Sequence, residues 1–203
     1  LVGSEMCIRD RYFANLYDMK NMSKFNMQAL AYHEGIPGHH MQISIAQELE
    51  NIPKFRLYGG FTVFNEGWAL YSEAIPKELG FYTDPFSDFG RLAGELYRAC
   101  RLVVDTGIHA KKWSRERAIE YMNNNVPHSK NYNVRQIERY IVMPSQATAY
   151  KIGMIKIQEL RELAESSLGD RFDIRGFHDV VLKNGSVTMP ILESNVKKWI
   201  KNQ

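Results

Sequence analysis

His33-Glu34-Gly35-Ile36-Pro37-Gly38-His39-His40 (HEGIPGHH) interrupts an otherwise helical run that starts near Met27 and continues through Met41 to Glu50. Three of the chain's six histidines fall in these eight residues, directly beside a glutamate. Imidazoles are metal ligands, and an adjacent carboxylate is placed to move a proton. On an unbroken helix the spacing fails. Six residues rotate by about 600°, leaving His39 roughly 120° from His33, and seven bring His40 back to the same face but about 10 Å along the axis. Pro37 changes this, because its ring clashes with the carbonyl four residues back, that of His33, and it has no N–H to give. Gly35 and Gly38 then let the backbone bulge outward around Ile36 and Pro37 and return the second histidine beside the first. His33 is therefore paired with His39, and His40 is either the alternative second ligand or a hydrogen-bonding group behind the ligands.

A catalytic zinc usually keeps three protein ligands and a water. Downstream, Glu66 in FNEGWALYSE is the best candidate for the third, and Glu73, seven residues on and near the same helical face, is placed to orient a ligand imidazole. The octapeptide resembles the HExxH signature of zinc peptidases, in which two histidines hold the metal and the glutamate is general base. It departs from that signature at position 37, where proline stands in place of the second histidine.

Working outward, the periodicity is helical almost throughout. NIPK at Asn51–Lys54 ends the motif helix and Gly59-Gly60 marks a turn; a second helix is expected over Val63–Leu79, followed by a loop over Gly80–Pro85. A long third helix follows Asp84-Pro85, with Leu92, Leu96, Leu102, Val103 and Ile108 as its apolar stripe down to Trp113. Ser114 caps SRERAIEYM, which stops at Asn123–Asn125. Another helix begins near Asn133, breaks at Met143-Pro144 and resumes to Leu168, where Gly169 closes it; two short helices over Ile174–Leu182 and Ile191–Ile200 finish the chain. The expected fold is all-α, a mostly helical metallopeptidase-like bundle, with a short N-terminal strand at YFANLY, Tyr12–Tyr17.

The first ten residues, LVGSEMCIRD, read like a translated sequencing adapter. Residues 1–11 are set apart as a non-native segment, and residues 12–203 are expected to be the C-terminal catalytic part of a larger helical metallohydrolase. Setting Cys7 aside leaves Cys100, and with it neither an intrachain disulfide nor a cysteine metal site. The balance of 26 basic against 23 acidic residues, without like-charge runs, calls for no nucleic acid, and no apolar run is long enough for a transmembrane helix.

HEGIPGHHMQ, NEGWALYSE, RLVVDTGIH, RY followed by PSQATAYKIG, and FHDVVLKNG together resemble, in the expected order, the bacterial family catalogued as domain of unknown function 885. The resemblance runs from Tyr12 to the C-terminus. Members of that family are usually much longer, which implies a missing N-terminal portion as a partner of this chain. The family is similar to the all-helical zinc carboxypeptidases and oligopeptidases, and the NEG of NEGWALY looks like the NEG of zinc aminopeptidases, whose glutamate is the third ligand; both imply that role for Glu66.

The expected activity is a zinc-dependent hydrolysis of peptides or small amides, with one Zn2+ on His33, His39 and Glu66 and Glu34 as general base. Tyr140 and Tyr150, which flank the Pro144 break, are candidate oxyanion donors, and Arg139 or Lys151 candidate holders of a substrate carboxylate. His109 is either a cleft residue or a histidine at a helix C-terminus; His128 and His178 read as structural. The competing readings are an amidase or esterase on a non-peptide substrate, and a silent helical domain with a vestigial metal. Bacterial origin follows from the resemblance, with periplasm, cell envelope and cytoplasm all open.

Overall fold

The computed structural model describes residues 23–50 and 52–203, and among these every regular element is a helix. The adapter-like residues 1–11 and the YFANLY strand lie outside the described residues. After a 3-10 turn at Lys24–Asn26 come α1 (Met27–Glu34), α2 (His39–Glu48), α3 (Lys54–Tyr58), α4 (Thr62–Ser72), α5 (Ile75–Glu78) and α6 (Pro85–Lys111). They are followed by α7 (Arg115–Asn125), α8 (Lys130–Val142), α9 (Gln146–Leu168), a 3-10 turn at Gly169–Arg171, α10 (Ile174–Leu182) and α11 (Met189–Lys201).

Local chemistry accounts for most boundaries. Asp84 accepts from the Phe86 and Ser87 N–H groups just ahead of Pro85, Ser114 from Arg117 and Asp173 from Arg175, each filling donors that a helix start leaves open. Ser129 does the same for Tyr132, which is why α8 starts three residues earlier than the expected Asn133. The N-terminus of α9 has no cap of its own. Asp105 of α6, buried, supplies it from across the fold, accepting from Ser145 N at 3.2 Å, Thr148 N at 3.0 Å and Thr148 Oγ1 at 2.7 Å.

Two expectations need correction. The helix expected over Val63–Leu79 is two pieces, α4 and α5, parted at Glu73-Ala74, where Pro76 in the first turn of α5 cannot donate to the carbonyl four residues back. The stripe drawn down α6 is on the wrong face at its start: Leu92 and Leu96 are about half exposed, while Ala93, Tyr97, Cys100, Arg101, Val104 and Asp105 are buried. The true stripe carries small, aromatic and charged residues, which a purely apolar pattern passes over.

The core has two centres. Phe64, Trp68, Leu70, Met154, Ile157, Phe177 and Leu192 join α4, α9, α10 and α11, and Tyr97, Val104, Met122, Ile137, Tyr140 and Ala147 join α6, α7, α8 and the start of α9. α9 belongs to both. It meets α4 backbone to backbone, because a Cβ on Gly153 would lie 2.0 Å from the Val63 carbonyl oxygen and one on Gly67 would lie 2.5 Å from the Gly153 Cα. Only hydrogen fits at either position, and the contact brings the residue before Gly67, Glu66, close to the start of α9.

Candidate metal centre

The break between α1 and α2 is the bulge that the motif calls for. Gly38 N–H donates to the Tyr32 carbonyl, six residues back rather than four, at 3.0 Å, and a Cβ on Gly38 would lie 1.9 Å from the His33 carbonyl oxygen. Ile36 points to solvent. From α4, the Trp68 indole N–H donates to the Pro37 carbonyl at 2.9 Å and fastens the loop from below. His33 at the end of α1 and His39 at the start of α2 consequently face each other, edge to face, with ring centroids 4.9 Å apart.

Glu66 completes the group. Its Oε2 lies 3.3 Å from His39 Nε2 and 3.7 Å from His33 Nε2, and one donor atom from each of the three residues lies within 4.8 Å of the others. Ligands about 2.1 Å from a tetrahedral zinc are about 3.4 Å from one another. The two spacings to Glu66 bracket that value, and two nitrogens with one carboxylate oxygen are the donors that a catalytic zinc takes. The residues present therefore fit such an ion. Behind His33, the Nδ1–H donates to Glu73 Oε1 at 2.8 Å, so Nε2 is the nitrogen turned to the group. Glu73 also receives Arg98 at 3.3 Å.

Electrostatics follow from burial and proximity. Burial alone would lower the His33 pKa, but its hydrogen bonds to Glu66 and Glu73 outweigh that and carry it up to about 9. Burial works against the Glu66 carboxylate, yet His33 and His39 hold it well below the usual carboxylate range. Glu34 goes the other way: burial raises it, only partly offset by the two histidines. A carboxyl raised in this way is nearer the working range of a general base.

Of the remaining candidates, Tyr150 is brought to the site. Its ring stacks on His33 at 6.1 Å, its hydroxyl receives the Gln146 amide at 3.1 Å, and burial, then Glu66, raise its pKa, so it keeps its proton at neutral pH. Tyr140 sits one layer away, its hydroxyl paired with that of Tyr97 at 2.8 Å. His109, in the last turn of α6, lies 2.9 Å from the Tyr140 carbonyl near the C-terminus of α8. Lys151 is paired with Glu95 at 2.6 Å, and Arg139 and His40 are partly exposed. His128 packs between Tyr97 and Tyr132, and His178 receives the Tyr71 hydroxyl at 2.9 Å. Sequence reasoning does not single out Arg98, Arg101 or Gln146; the available signal was two arginines three residues apart on the buried stripe of α6.

Several solved structures resemble the chain, two of them as follows. One, described as "the putative lipoprotein from Colwellia psychrerythraea", is 50% identical with a TM-score of 0.90 over 93% of this chain and 32% of that one. The other, described as "a putative lipoprotein of unknown function from Shewanella oneidensis", is 26% identical with a TM-score of 0.78 over 85% of this chain and 31% of that one. The chain thus spans about a third of the length of either structure. No curated protein matches the sequence significantly. Residues 8–196, the HEGIPGHH bulge and the NEGWALYSE helix among them, match the family described as "Bacterial protein of unknown function (DUF885)", and to that family the chain belongs.

Proposed function

We propose that this chain carries the metal site and general base of a zinc-dependent hydrolase that cleaves peptide bonds, with one zinc ion held by His33, His39 and Glu66. The observation that carries this reading is the convergence of those three buried residues from three separate helices, with Glu34 next to the first ligand and Glu73 orienting it. When bound, zinc supplies Lewis acidity and acidifies water to near neutrality. Glu34, its carboxyl raised by burial, takes the proton of the attacking water and passes it to the leaving amine. Tyr150, protonated and stacked on His33, is the donor for the oxyanion. Tyr140, tied to Tyr97, supports the wall behind it.

The two solved relatives, each about three times the length of this chain and each described as a lipoprotein, support two further readings. The chain is the metal-bearing part of a longer polypeptide, and that polypeptide works at the bacterial cell envelope. Among the described residues no helix is long and apolar enough to cross a membrane. The deciding experiment is metal analysis of the purified protein beside Glu34→Gln and His39→Ala, with cleavage of a mixed peptide pool. The expected result is about one zinc per chain, kept in Glu34→Gln and lost in His39→Ala, with cleavage abolished in both. A folded protein that takes up no zinc overturns the proposal, and zinc without cleavage of any peptide overturns its peptidase part.

A further inference from the structure

We propose that Arg101 is the receptor for a carboxylate on the substrate, so that the hydrolase acts on molecules carrying a free carboxylate near the bond that is cut. The cleavage of that bond, though not the binding, rests on the hydrolase reading. Arg101 lies on the buried face of α6 and is 6% exposed. Among the described residues no carboxylate lies within salt-bridge distance of it. The nearby acids are otherwise engaged: Asp105, one turn on, caps α9, Glu73 serves His33 and Arg98, and Glu66 belongs to the metal group. A buried guanidinium without a counter-charge is costly, and such an arrangement is retained where a ligand supplies the missing charge.

The groups around Arg101 meet only part of its needs. Its guanidinium carbon sits 4.2 Å from the Tyr150 ring centroid, 5.2 Å from that of Tyr140 and 5.5 Å from that of Tyr97. These rings stabilise the positive charge, and the Tyr150 hydroxyl lies within reach of one of its N–H groups. One of its N–H bonds goes from Nη2 to Gln146 Oε1 at 2.9 Å, while Nε is buried with no acceptor among the described residues. Gln146 links the group to the metal site, its amide nitrogen lying 3.5 Å from Glu66 Oε1 and 3.1 Å from the Tyr150 hydroxyl. A planar guanidinium with an unfilled donor matches a planar carboxylate through parallel hydrogen bonds. Of the two residues expected from sequence to hold a carboxylate, Lys151 is already neutralised by Glu95, and Arg139 is partly exposed in the last turn of α8.

The carboxylate comes either from a peptide C-terminus or from an acidic side chain, and small probes separate the two. The metal-free protein is titrated calorimetrically with N-acetylalanine, with N-acetylalaninamide, and with N-acetylaspartic acid blocked as its α-amide. The same titrations are repeated with Arg101→Gln and Arg101→Lys. The proposal expects one of the two acids to bind at least about tenfold more tightly than the neutral amide. That preference should vanish in Arg101→Gln and persist in part in Arg101→Lys. Preference for N-acetylalanine assigns the site to C-termini, and preference for the aspartyl probe to acidic side chains. Equal binding of acids and amide, no binding of any probe, or an undiminished preference in Arg101→Gln overturns it. The wild-type comparison stands even if a variant fails to fold. Because no metal is present, failure of zinc uptake would sink the hydrolase reading without touching this result.

Discussion

Replacing Gly153 with alanine should loosen the protein at the contact that sets Glu66 beside α9. The added methyl would sit 2.0 Å from the Val63 carbonyl oxygen and 2.6 Å from the Gly67 Cα, where ordinary contact begins at 3.4 Å. Both obstacles are backbone of α4, so no side chain can rotate away, and the two helices must part by on the order of 1 Å. Overpacking of this kind costs about 1–3 kcal/mol, against about 1 kcal/mol regained because alanine favours helix over glycine. Two clashes with fixed backbone put the strain in the upper part of that range, about 2–3 kcal/mol, so the net loss is about 1–2 kcal/mol, a fall in Tm of about 2–8 °C for a chain of this size. The displacement also spreads Glu66 from Gln146 and Tyr150, and metal ligands tolerate shifts of only about 0.2 Å. Calorimetric melting and zinc titration of Gly153→Ala, with the neighbouring exposed Ile152→Ala as control, measure both effects. A Gly153→Ala protein with wild-type Tm and wild-type zinc affinity would refute the close approach of α4 and α9.

Trp68→Phe keeps an aromatic ring in the core but removes the N–H that holds the Pro37 carbonyl; it should destabilise the protein by about 1–3 kcal/mol, and denaturant unfolding will measure this. Glu73→Ala leaves His33 Nδ1 without its carboxylate and should weaken zinc binding by about 10–100-fold in competition titrations, the usual cost of losing a group that orients a ligand. Because His33 is held protonated up to about 9, zinc uptake at pH 7 should expel about one proton from it, a number read from calorimetry in buffers of different ionisation enthalpy. Burial and then Arg161 hold the His178 pKa down to about 4, below its ordinary 6.5. Folding therefore favours its neutral form: this contribution is complete above pH 6.5 and is lost as pH falls towards 4. His178→Gln should flatten the stability profile in that window, and an unchanged slope would show that His178 is not the group responsible.

The helical class, the break at Pro37 and the pairing of His33 with His39 were all legible in the chain, because each depends on neighbours along it. A proline ring must clash with the carbonyl four residues back, and a serine or aspartate ahead of a helix must meet its open N–H groups. Glu66 and Glu73 were legible as candidates from their chemistry and spacing. Legibility failed where a residue's role depends on what packs against it. Leu92 and Leu96 look like core residues, but the face of α6 turned inward is the one bearing Tyr97, Arg101 and Asp105, since those side chains meet tyrosine rings and the N-terminus of α9 from elsewhere in the chain. Lys151 looks available to a substrate until Glu95 is found 2.6 Å away. The sequence by itself determined the helices and the bulge that turns two histidines together, for those follow from backbone sterics over a few residues. Only the tertiary structure decided which acid reaches them, which tyrosine stands beside them and which buried arginine has no carboxylate beside it among the described residues, because those depend on distances between helices that glycine contacts and buried hydrogen bonds set across the fold.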